Sequence, residues 1–243
     1  VSSHSGAQAL ALTDSGLLLV ADQEIGGLVS YRVEVGTGRL TYLAQIGTAQ
    51  GLAVAGPSAL EVVEAYGQSW AILAGGGSDS LTVLSVAANG RMRMVDHLSD
   101  TLATRFDQVS ALEVVEVSGR VLVLAAGADS GLSLLELLPD GRLLHRAAFE
   151  AGLGQDLQAI TAMAAVVLGD SLEIYLSSPQ GAGLAHLRYD LSSFARAGQN
   201  GTAGDDLLSG ASTLSGGAGE DVLVAHASGA VLTGGAGADV FVA

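Results

Sequence analysis

The chain has 243 residues, of which 49% are hydrophobic and 4% aromatic, and its formal net charge is −15. A surface of this charge would repel nucleic acid and anionic membranes, whose binding requires clustered cations. The absence of cysteine excludes disulfides and thiol chemistry, and no apolar run is long enough for a membrane-spanning helix. An acidic chain suits a divalent cation as partner.

From the start of the chain, an apolar strand-like segment recurs every 51 to 53 residues. Its copies start at Gly16, Ser69, Arg120 and Ser171. A second apolar run follows each copy, starting at Gly27, Ser80, Gly131 and Gly183. A Gly-Arg-Leu or Gly-Arg-Met turn recurs at Gly38, Gly90 and Gly141. Three independent markers therefore indicate one internal repeat.

Each repeat is predicted to contain four short strands. In the third repeat these strands cover about residues 111–117, 120–126, 131–138 and 142–149, with glycine-containing turns between them. No segment holds a helical apolar period. A four-stranded antiparallel sheet repeated about every 50 residues is typical of β-propeller blades. We therefore predict an all-β fold, with propeller blades in residues 1–196.

The order of these features resembles the lactonase-type (YVTN-like) β-propellers over residues 1 to about 193. It runs from an apolar strand and an Asp/Ser/Gly loop to the segments Gly-Leu-Ser-Leu-Leu-Glu-Leu and Pro-Asp-Gly-Arg-Leu. Members of that family usually have seven blades, whereas four are recognisable here and the fourth lacks its outermost strand. We expect further blades to come from sequence upstream of Val1 or from another chain. The alternative is a four-bladed ring that closes on itself.

A second, shorter repeat occupies residues 201–243, after a linker at residues 197–200. This segment has five acidic residues and no arginine. Gly216–Val224 and Gly234–Val242 fit the nonapeptide template G-G-x-G-x-D-x-U-x, and Gly201–Ser209 fits with Thr202 in place of the second glycine. The three nonapeptides resemble those of the RTX (hemolysin-type) family, which form parallel β-rolls that bind Ca²⁺.

In that family successive turns fall on alternate sides of the roll, and Ca²⁺ lies between turn n and turn n+2. The resemblance implies about two Ca²⁺ ions in one row, bridged by Asp221. The first site would use Asp206, Asp221 and the carbonyls of Thr202, Gly204, Gly216 and Ala218. The second site would use Asp221, Asp239 and the carbonyls of Gly217, Gly219, Gly234 and Ala236. Hard oxygen donors of this kind suit Ca²⁺.

The units between these nonapeptides, residues 210–215 and 225–233, lack the aspartate, so the opposite side of the roll is expected to be free of metal. The middle residue of each short strand is expected to point into the core of the roll, namely Leu208, Leu223, Leu232 and Phe241. With five carboxylates and little apolar area, the segment should order only when Ca²⁺ binds.

Other candidates for chemistry carry weaker signals. The five histidines have no metal-ligand spacing: His4, His97, His145, His186 and His226. Acidic loops recur after the second strand of the repeat, at Asp22, Asp79 and Asp129. A ligand site there is one interpretation, and ordinary turn residues are the favoured one. We therefore assign no catalytic residue.

The leading functional interpretation is a non-enzymatic, secreted Ca²⁺-binding protein, extracellular or on the cell surface. The RTX resemblance implies type I secretion from a Gram-negative bacterium, with folding on Ca²⁺ outside the cell. The propeller would be a structural scaffold or would bind a protein or carbohydrate partner. A lactonase-like hydrolase is one alternative and would need His, Arg and carboxylate side chains that converge on the channel face. An adhesin or surface-layer component, marked by self-association, is the other.

Overall fold

The computed structural model describes residues 6–117, 119–150, 159–179, 183–192, 198–210, 212–225 and 228–242. These residues form 21 β-strands and one 3₁₀ turn at Thr48–Gln50. Within the described ranges, no helix is long and apolar enough to cross a membrane. His4 and His226 lie outside the described residues.

Fifteen strands form four consecutive antiparallel sheets, named blades 1 to 4, each ordered as in the chain. Blade 1 contains β1 (Ala7–Leu12), β2 (Leu17–Asp22), β3 (Gly27–Val33) and β4 (Leu40–Ile46). Blade 2 contains β5 (Pro57–Ala65), β6 (Gln68–Gly75), β7 (Ser80–Val86) and β8 (Met92–Ser99). Blade 3 contains β9 (Ala111–Val117), β10 (Arg120–Ala126), β11 (Gly131–Leu137) and β12 (Leu143–Glu150). Blade 4 contains β13 (Ala162–Leu168), β14 (Ser171–Ser178) and β15 (Gly183–Asp190).

The predicted propeller blades are therefore confirmed, including the shorter fourth sheet. The irregularities repeat as well as the strands. A β-bulge interrupts the pairing of the third and fourth strands at Ser30/Tyr31 in blade 1, at Val83/Leu84 in blade 2 and at Leu134/Leu135 in blade 3. A bulge bends the strand that carries it and increases its twist. The outer strand pair of each complete blade thus has the same local distortion.

Adjacent blades pack face to face through the second and third strands. Leu17 and Leu19 of blade 1 lie in one core with Leu73 of blade 2, and Trp70 of blade 2 lies in the next core with Val123 of blade 3. A third core joins blades 3 and 4. All seven residues of β10 are buried, as expected for a strand covered on both faces.

The first strands of successive blades, β1, β5, β9 and β13, also pack against one another in chain order. Among the strands that the structure describes, β13 and β1 do not pack on each other to a comparable extent. The four blades therefore form an open arc and differ in this from the closed four-bladed ring considered as an alternative.

The remaining six strands form two parallel three-stranded sheets, which we call the roll. One sheet contains β16 (Gly198–Asn200), β18 (Thr213–Ala218) and β20 (Val231–Ala236). The other contains β17 (Leu207–Gly210), β19 (Val222–Ala225) and β21 (Val240–Val242). The chain alternates between the two sheets, which is the connectivity expected for a parallel β-roll.

The roll begins earlier than the sequence analysis proposed. Gly198–Asn200, assigned to a linker, form β16 and pair with Thr213–Ser215 of β18. The nonapeptide template starts at a turn, so it does not reveal the strand that precedes the first turn. Backbone pairing with β18 adds that strand to the sheet.

The expected core of the roll is correct except at its last strand. Leu208 and Leu223 are buried and Leu232 is partly buried around them. Phe241 continues the same ladder opposite Leu223, but it is 52% exposed. Its strand β21 is the outer strand of its sheet, and among the described strands none covers the phenyl ring.

Candidate calcium-binding site

Three turns stack along one side of the roll, each where the chain passes from a strand of one sheet to a strand of the other. They are residues 201–206, 216–221 and 234–239, which precede β17, β19 and β21. The pairing of Gly217 with Gly235 and of Ala218 with Ala236 aligns the last two turns. The amide of Ala218 donates to the carbonyl of Thr202 at 3.1 Å, which joins the first turn to the second. The predicted order, with the Asp221 turn in the middle, is the order in space.

The aspartates of these turns form a linked row. The backbone amide of Asp206 donates to Oδ1 of Asp221 at 2.9 Å, and the amide of Asp221 donates to Oδ1 of Asp239 at 3.1 Å. The carboxylates of Asp221 and Asp239 therefore each reach back to the preceding turn. The three carboxylates are held at fixed positions relative to the stacked carbonyls.

The other carboxylate oxygen of Asp221, Oδ2, has no hydrogen-bond partner among the described residues. Asp221 is 0% exposed, and among the described residues no donor lies within hydrogen-bonding distance of its Oδ2. A buried carboxylate oxygen without a partner costs on the order of 1 to 3 kcal/mol. A cation at this oxygen would remove that cost.

A second predicted ligand lies beside this oxygen. A Cβ atom added to Gly216 would lie 2.1 Å from Asp221 Oδ2 and 2.5 Å from the carbonyl oxygen of Gly234. Both oxygens belong to the predicted second site. A side chain at position 216 would fill the space beside these two oxygens, so that space exists only because residue 216 is glycine.

The same arrangement recurs one turn earlier, at the predicted first site. A Cβ atom on Gly201 would lie 2.0 Å from the carbonyl oxygen of Gly216 and 2.8 Å from Asp206 Oδ2. Here the carboxylate is already engaged, because Asp206 Oδ2 accepts hydrogen bonds from the Thr202 amide at 2.6 Å and the Thr202 hydroxyl at 2.9 Å. Thr202, which replaces the second glycine of the template, thus gives Asp206 Oδ2 two hydrogen-bond donors. Asp221 Oδ2 has none among the described residues.

Two further predicted carbonyl ligands, those of Gly204 and Ala236, lie at the contacts between turns. A Cβ atom on Gly219 would lie 2.8 Å from the Gly204 carbonyl oxygen, and the amide of Gly219 donates to the Ala236 carbonyl at 2.8 Å. Within the described ranges, no group of three or more His, Cys, Asp or Glu side chains could hold a metal. Each predicted site has two carboxylates and relies on backbone carbonyls for the rest, and this donor set fits Ca²⁺.

The acidic loops of the propeller have structural partners. Oδ1 of Asp22 accepts the Glu24 amide at 2.7 Å within its own turn. Oδ1 of Asp79 accepts the Gln108 amide at 2.9 Å from the next repeat. These contacts are those of turn and connecting residues, in line with the favoured interpretation of the loops.

A polar cluster that the sequence analysis did not single out lies on the face of blade 4 that is turned away from blade 3. We call Glu173, Tyr175, His186 and Arg188 the blade 4 cluster. Glu173 is 3% exposed, and its two carboxylate oxygens lie 2.6 Å from His186 Nε2 and 2.7 Å from Arg188 Nε. Burial alone would raise the pKa of Glu173, but hydrogen bonds from His186 and Arg188 outweigh burial and lower it.

The signal for this cluster was present in the repeat. Leu17, Trp70 and Leu122 occupy the β2, β6 and β10 positions that face the next blade, and Glu173 is their counterpart in β14. Tyr175 follows two residues later and stacks on His186 with ring centroids 4.9 Å apart. Glu173 and Tyr175 therefore interrupt the apolar second strand on the face of blade 4 that no other described blade covers.

A cavity of about 330 Å³ lies beside the first strands of blades 1 to 3 and is lined by several carboxylates, among them Glu61 of β5. Burial, and the charge of Glu113 on β9, raise the pKa of Glu61 from 4.5 to about 7. In the folded chain Glu61 therefore binds its proton more tightly than in the unfolded chain.

This shift predicts a pH-dependent stability. Because the folded-state pKa is raised, stability should fall as the pH rises from about 4.5 to about 7 and then level off. Glu61→Gln should remove that loss. At about pH 8 we expect the variant to be more stable than the parent by on the order of 1 to 2 kcal/mol, a figure reduced for the partial exposure of the group. Near pH 4 the two proteins should unfold at the same denaturant concentration. A difference in the free energy of unfolding between Glu61→Gln and the parent that does not change with pH would contradict the raised pKa of Glu61.

No family model matches the chain, and no curated protein matches it in sequence. Solved structures do match its fold. A protein from Lactobacillus plantarum is 13% identical with a TM-score of 0.55, over 78% of this chain and 57% of that one. A putative 6-phosphogluconolactonase from Bacteroides uniformis is 12% identical with a TM-score of 0.54, over 74% and 55%. The periplasmic gluconolactonase of Pseudomonas aeruginosa is 19% identical with a TM-score of 0.50, over 76% and 54%.

At these identities the comparisons show a common fold, the β-propeller, and nothing finer. The chain spans between about 54% and 57% of the length of these structures. Its blades therefore correspond to part of the propeller that those proteins contain.

Proposed function

We propose that the roll binds two Ca²⁺ ions between its three stacked turns. The observation that carries this proposal is the buried Oδ2 of Asp221, which has no partner among the described residues and faces the Gly234 carbonyl oxygen. The first ion would be held by Asp206, Asp221 and carbonyls of the first two turns. The second would be held by Asp221, Asp239 and carbonyls of the last two turns.

The residues of the roll make its order depend on this binding. Five carboxylates lie in a segment with no lysine or arginine, and three of them form one row. Bound Ca²⁺ supplies the positive charge that such a row lacks, so that binding free energy becomes folding free energy. The hydrophobic core of the roll is small and consists of Leu208, Leu214 and Leu223 with Leu232 beside them. Folding would then require the cation.

The wider setting follows from the RTX resemblance. Two complete nonapeptides and one with a single substitution, stacked in register, support a protein that is secreted and folds on Ca²⁺ outside the cell. We place it in the extracellular space or on the surface of a Gram-negative bacterium, with type I secretion as its route. The propeller would then act as a scaffold for a structural role or for binding a protein or carbohydrate.

A lactonase-like hydrolase is the second candidate, and the solved structures with the same fold favour it. The histidine, arginine and carboxylate side chains that such a hydrolase needs meet in the blade 4 cluster, on an open blade face rather than in a channel. Hydrolysis of an aldonolactone that is lost in Glu173→Gln, with the fold intact, would select this candidate. Calcium-dependent self-association without turnover would instead select an adhesin or surface-layer component.

Removal of Ca²⁺ tests the main proposal. In the full chain treated with chelator, amides of residues 201–242 should exchange with solvent at least about 100-fold faster than in the presence of Ca²⁺, because the carboxylate row then lacks its counterion. Amides of blades 1 and 2 serve as the internal reference. Equal protection of the roll with and without Ca²⁺ would refute the proposal, and Mg²⁺ should not substitute, since it demands a tighter octahedral shell.

A further inference from the structure

The roll rests on the outer part of blade 3. Leu138, which follows β11, is 2% exposed and lies in one apolar cluster with Val224 of β19 and Val242 of β21. Leu144 of β12 packs at the edge of the same cluster. The sheet β17-β19-β21 therefore buries one face against blade 3 and the other inside the roll.

Three charged side chains are enclosed at this contact. Arg120 is 2% exposed, the side chain of Glu136 is fully buried, and the side chain of Arg146 is 14% exposed. Arg146 Nε lies 3.2 Å from Glu136 Oε2. Burial lowers the pKa of Arg120, and the charge of Glu136 opposes that effect. We call these three residues the blade 3 charge cluster.

The roll supplies oxygen atoms to this cluster. The guanidinium of Arg120 donates to the carbonyl oxygen of Ser209, and Arg146 Nη2 lies 3.4 Å from the Ser209 hydroxyl. Ser209 is the last residue of the first nonapeptide, three positions after Asp206. The same short segment thus carries a predicted Ca²⁺ ligand at one end and the partner of Arg120 and Arg146 at the other.

Buried charges are tolerated only when their hydrogen-bonding groups have partners, and removal of a partner is costly. If the roll loses its order, Arg120 and Arg146 lose the oxygens of Ser209, and Leu138 and Leu144 lose their apolar cover. Blade 3 should therefore be less stable without an ordered roll.

We infer that Ca²⁺ binding in the roll is coupled to the stability of blade 3 through the Ser209 contact with the blade 3 charge cluster. This inference rests on the proposed Ca²⁺ sites and names what they control. The linkage is reciprocal: Ca²⁺ stabilises blade 3 through this contact, so loss of the contact must weaken Ca²⁺ binding. The fold-change in affinity corresponds to the coupling free energy that is lost. The roll is then a calcium-dependent part of the propeller and not a tethered tail.

Hydrogen exchange of the full chain tests the inference without any variant. With Ca²⁺, amides of β10, β11 and β12 should exchange about tenfold or more slowly than in chelator, while amides of blade 1 should change little. Protection of the roll alone, with blade 3 unchanged, would overturn the inference and leave the proposed Ca²⁺ sites intact. Equal protection of every blade would also overturn it. No Ca²⁺-dependent protection anywhere would refute the Ca²⁺ sites themselves.

A matched pair of variants tests the reciprocal effect. Arg120→Met keeps an apolar chain of similar length but cannot donate to Ser209. Arg142→Met is the control, because Arg142 lies in the same blade, is half exposed and pairs with Asp140 on the surface. We expect Arg120→Met to weaken Ca²⁺ binding about 5- to 20-fold and to abolish the Ca²⁺-dependent protection of blade 3. Arg142→Met should change neither. If Arg120→Met folds and its Ca²⁺ affinity is unchanged, the coupling is contradicted. If Arg120→Met does not fold, hydrogen exchange of the unmodified chain with and without Ca²⁺ still decides.

Discussion

Replacement of Asp221 with asparagine is expected to weaken Ca²⁺ binding at both sites by about 100-fold, which corresponds to about 2.7 kcal/mol per site. Asp221 is the carboxylate shared by the two predicted ions, and its Oδ2 is buried without a partner among the described residues. Loss of its charge removes one of only two carboxylates from each site. Titration of the full chain with Ca²⁺ measures the change.

The same variant separates ligand loss from structural damage. Without Ca²⁺ the asparagine side chain can still accept the Asp206 amide through its oxygen, and its amide group can donate to the nearby Gly234 carbonyl. We therefore expect Asp221→Asn in chelator to be at least as ordered as the parent protein. Glu220→Gln is the control, because Glu220 is exposed and is not a predicted ligand. Equal loss of affinity in both variants would show that net charge, and not the shared ligand, governs binding.

Gly141→Ala is expected to destabilise the propeller by about 2 to 4 kcal/mol. The turn between β11 and β12 places Gly141 at φ 88°, in the left-handed region, where a Cβ atom would lie 2.4 Å from the Trp70 ring and 2.7 Å from Val95. Strain of the backbone accounts for about 1 kcal/mol, and overpacking of the core between blades 2 and 3 adds about 1 to 3 kcal/mol. Denaturant unfolding at saturating Ca²⁺ gives the free energy of unfolding.

Gly16→Ala isolates the packing contribution. Gly16 has φ 79°, and a Cβ atom there would meet no atom within 4 Å. This variant should lose only about 1 kcal/mol, from strain alone. If Gly141→Ala and Gly16→Ala lower the free energy of unfolding equally, close packing of the Gly141 turn against Trp70 and Val95 contributes nothing to the loss of stability.

The blades could be predicted from the sequence because their signals are local and repeated. An apolar run followed by a glycine turn returns every 51 to 53 residues, and the predicted bounds of β9 and β10 match those observed. The roll was predictable for the same reason. Glycine and aspartate at fixed offsets specify a turn, and the apolar residue two positions after the aspartate specifies a short strand.

Features that depend on which faces remain uncovered could not be predicted. Glu173 interrupts an apolar strand, and its role depends on its place on a face of blade 4 that no other described blade covers. Phe241 fits the core position of the template, yet its strand is the outer one. The pairing of Arg120 with Ser209 joins residues 89 positions apart, and no sequence pattern marks a contact of that kind.

Calorimetric titration of the full chain with Ca²⁺, after removal of bound metal, tests the central claim most directly. We predict about two ions per chain, bound with a simultaneous gain of β-sheet signal in circular dichroism. Asp221→Asn should bind neither ion in the concentration range that saturates the parent protein. An absence of heat and of any spectral change, or an Asp221→Asn titration that matches that of the parent, would contradict the assignment of the stacked turns as a calcium site.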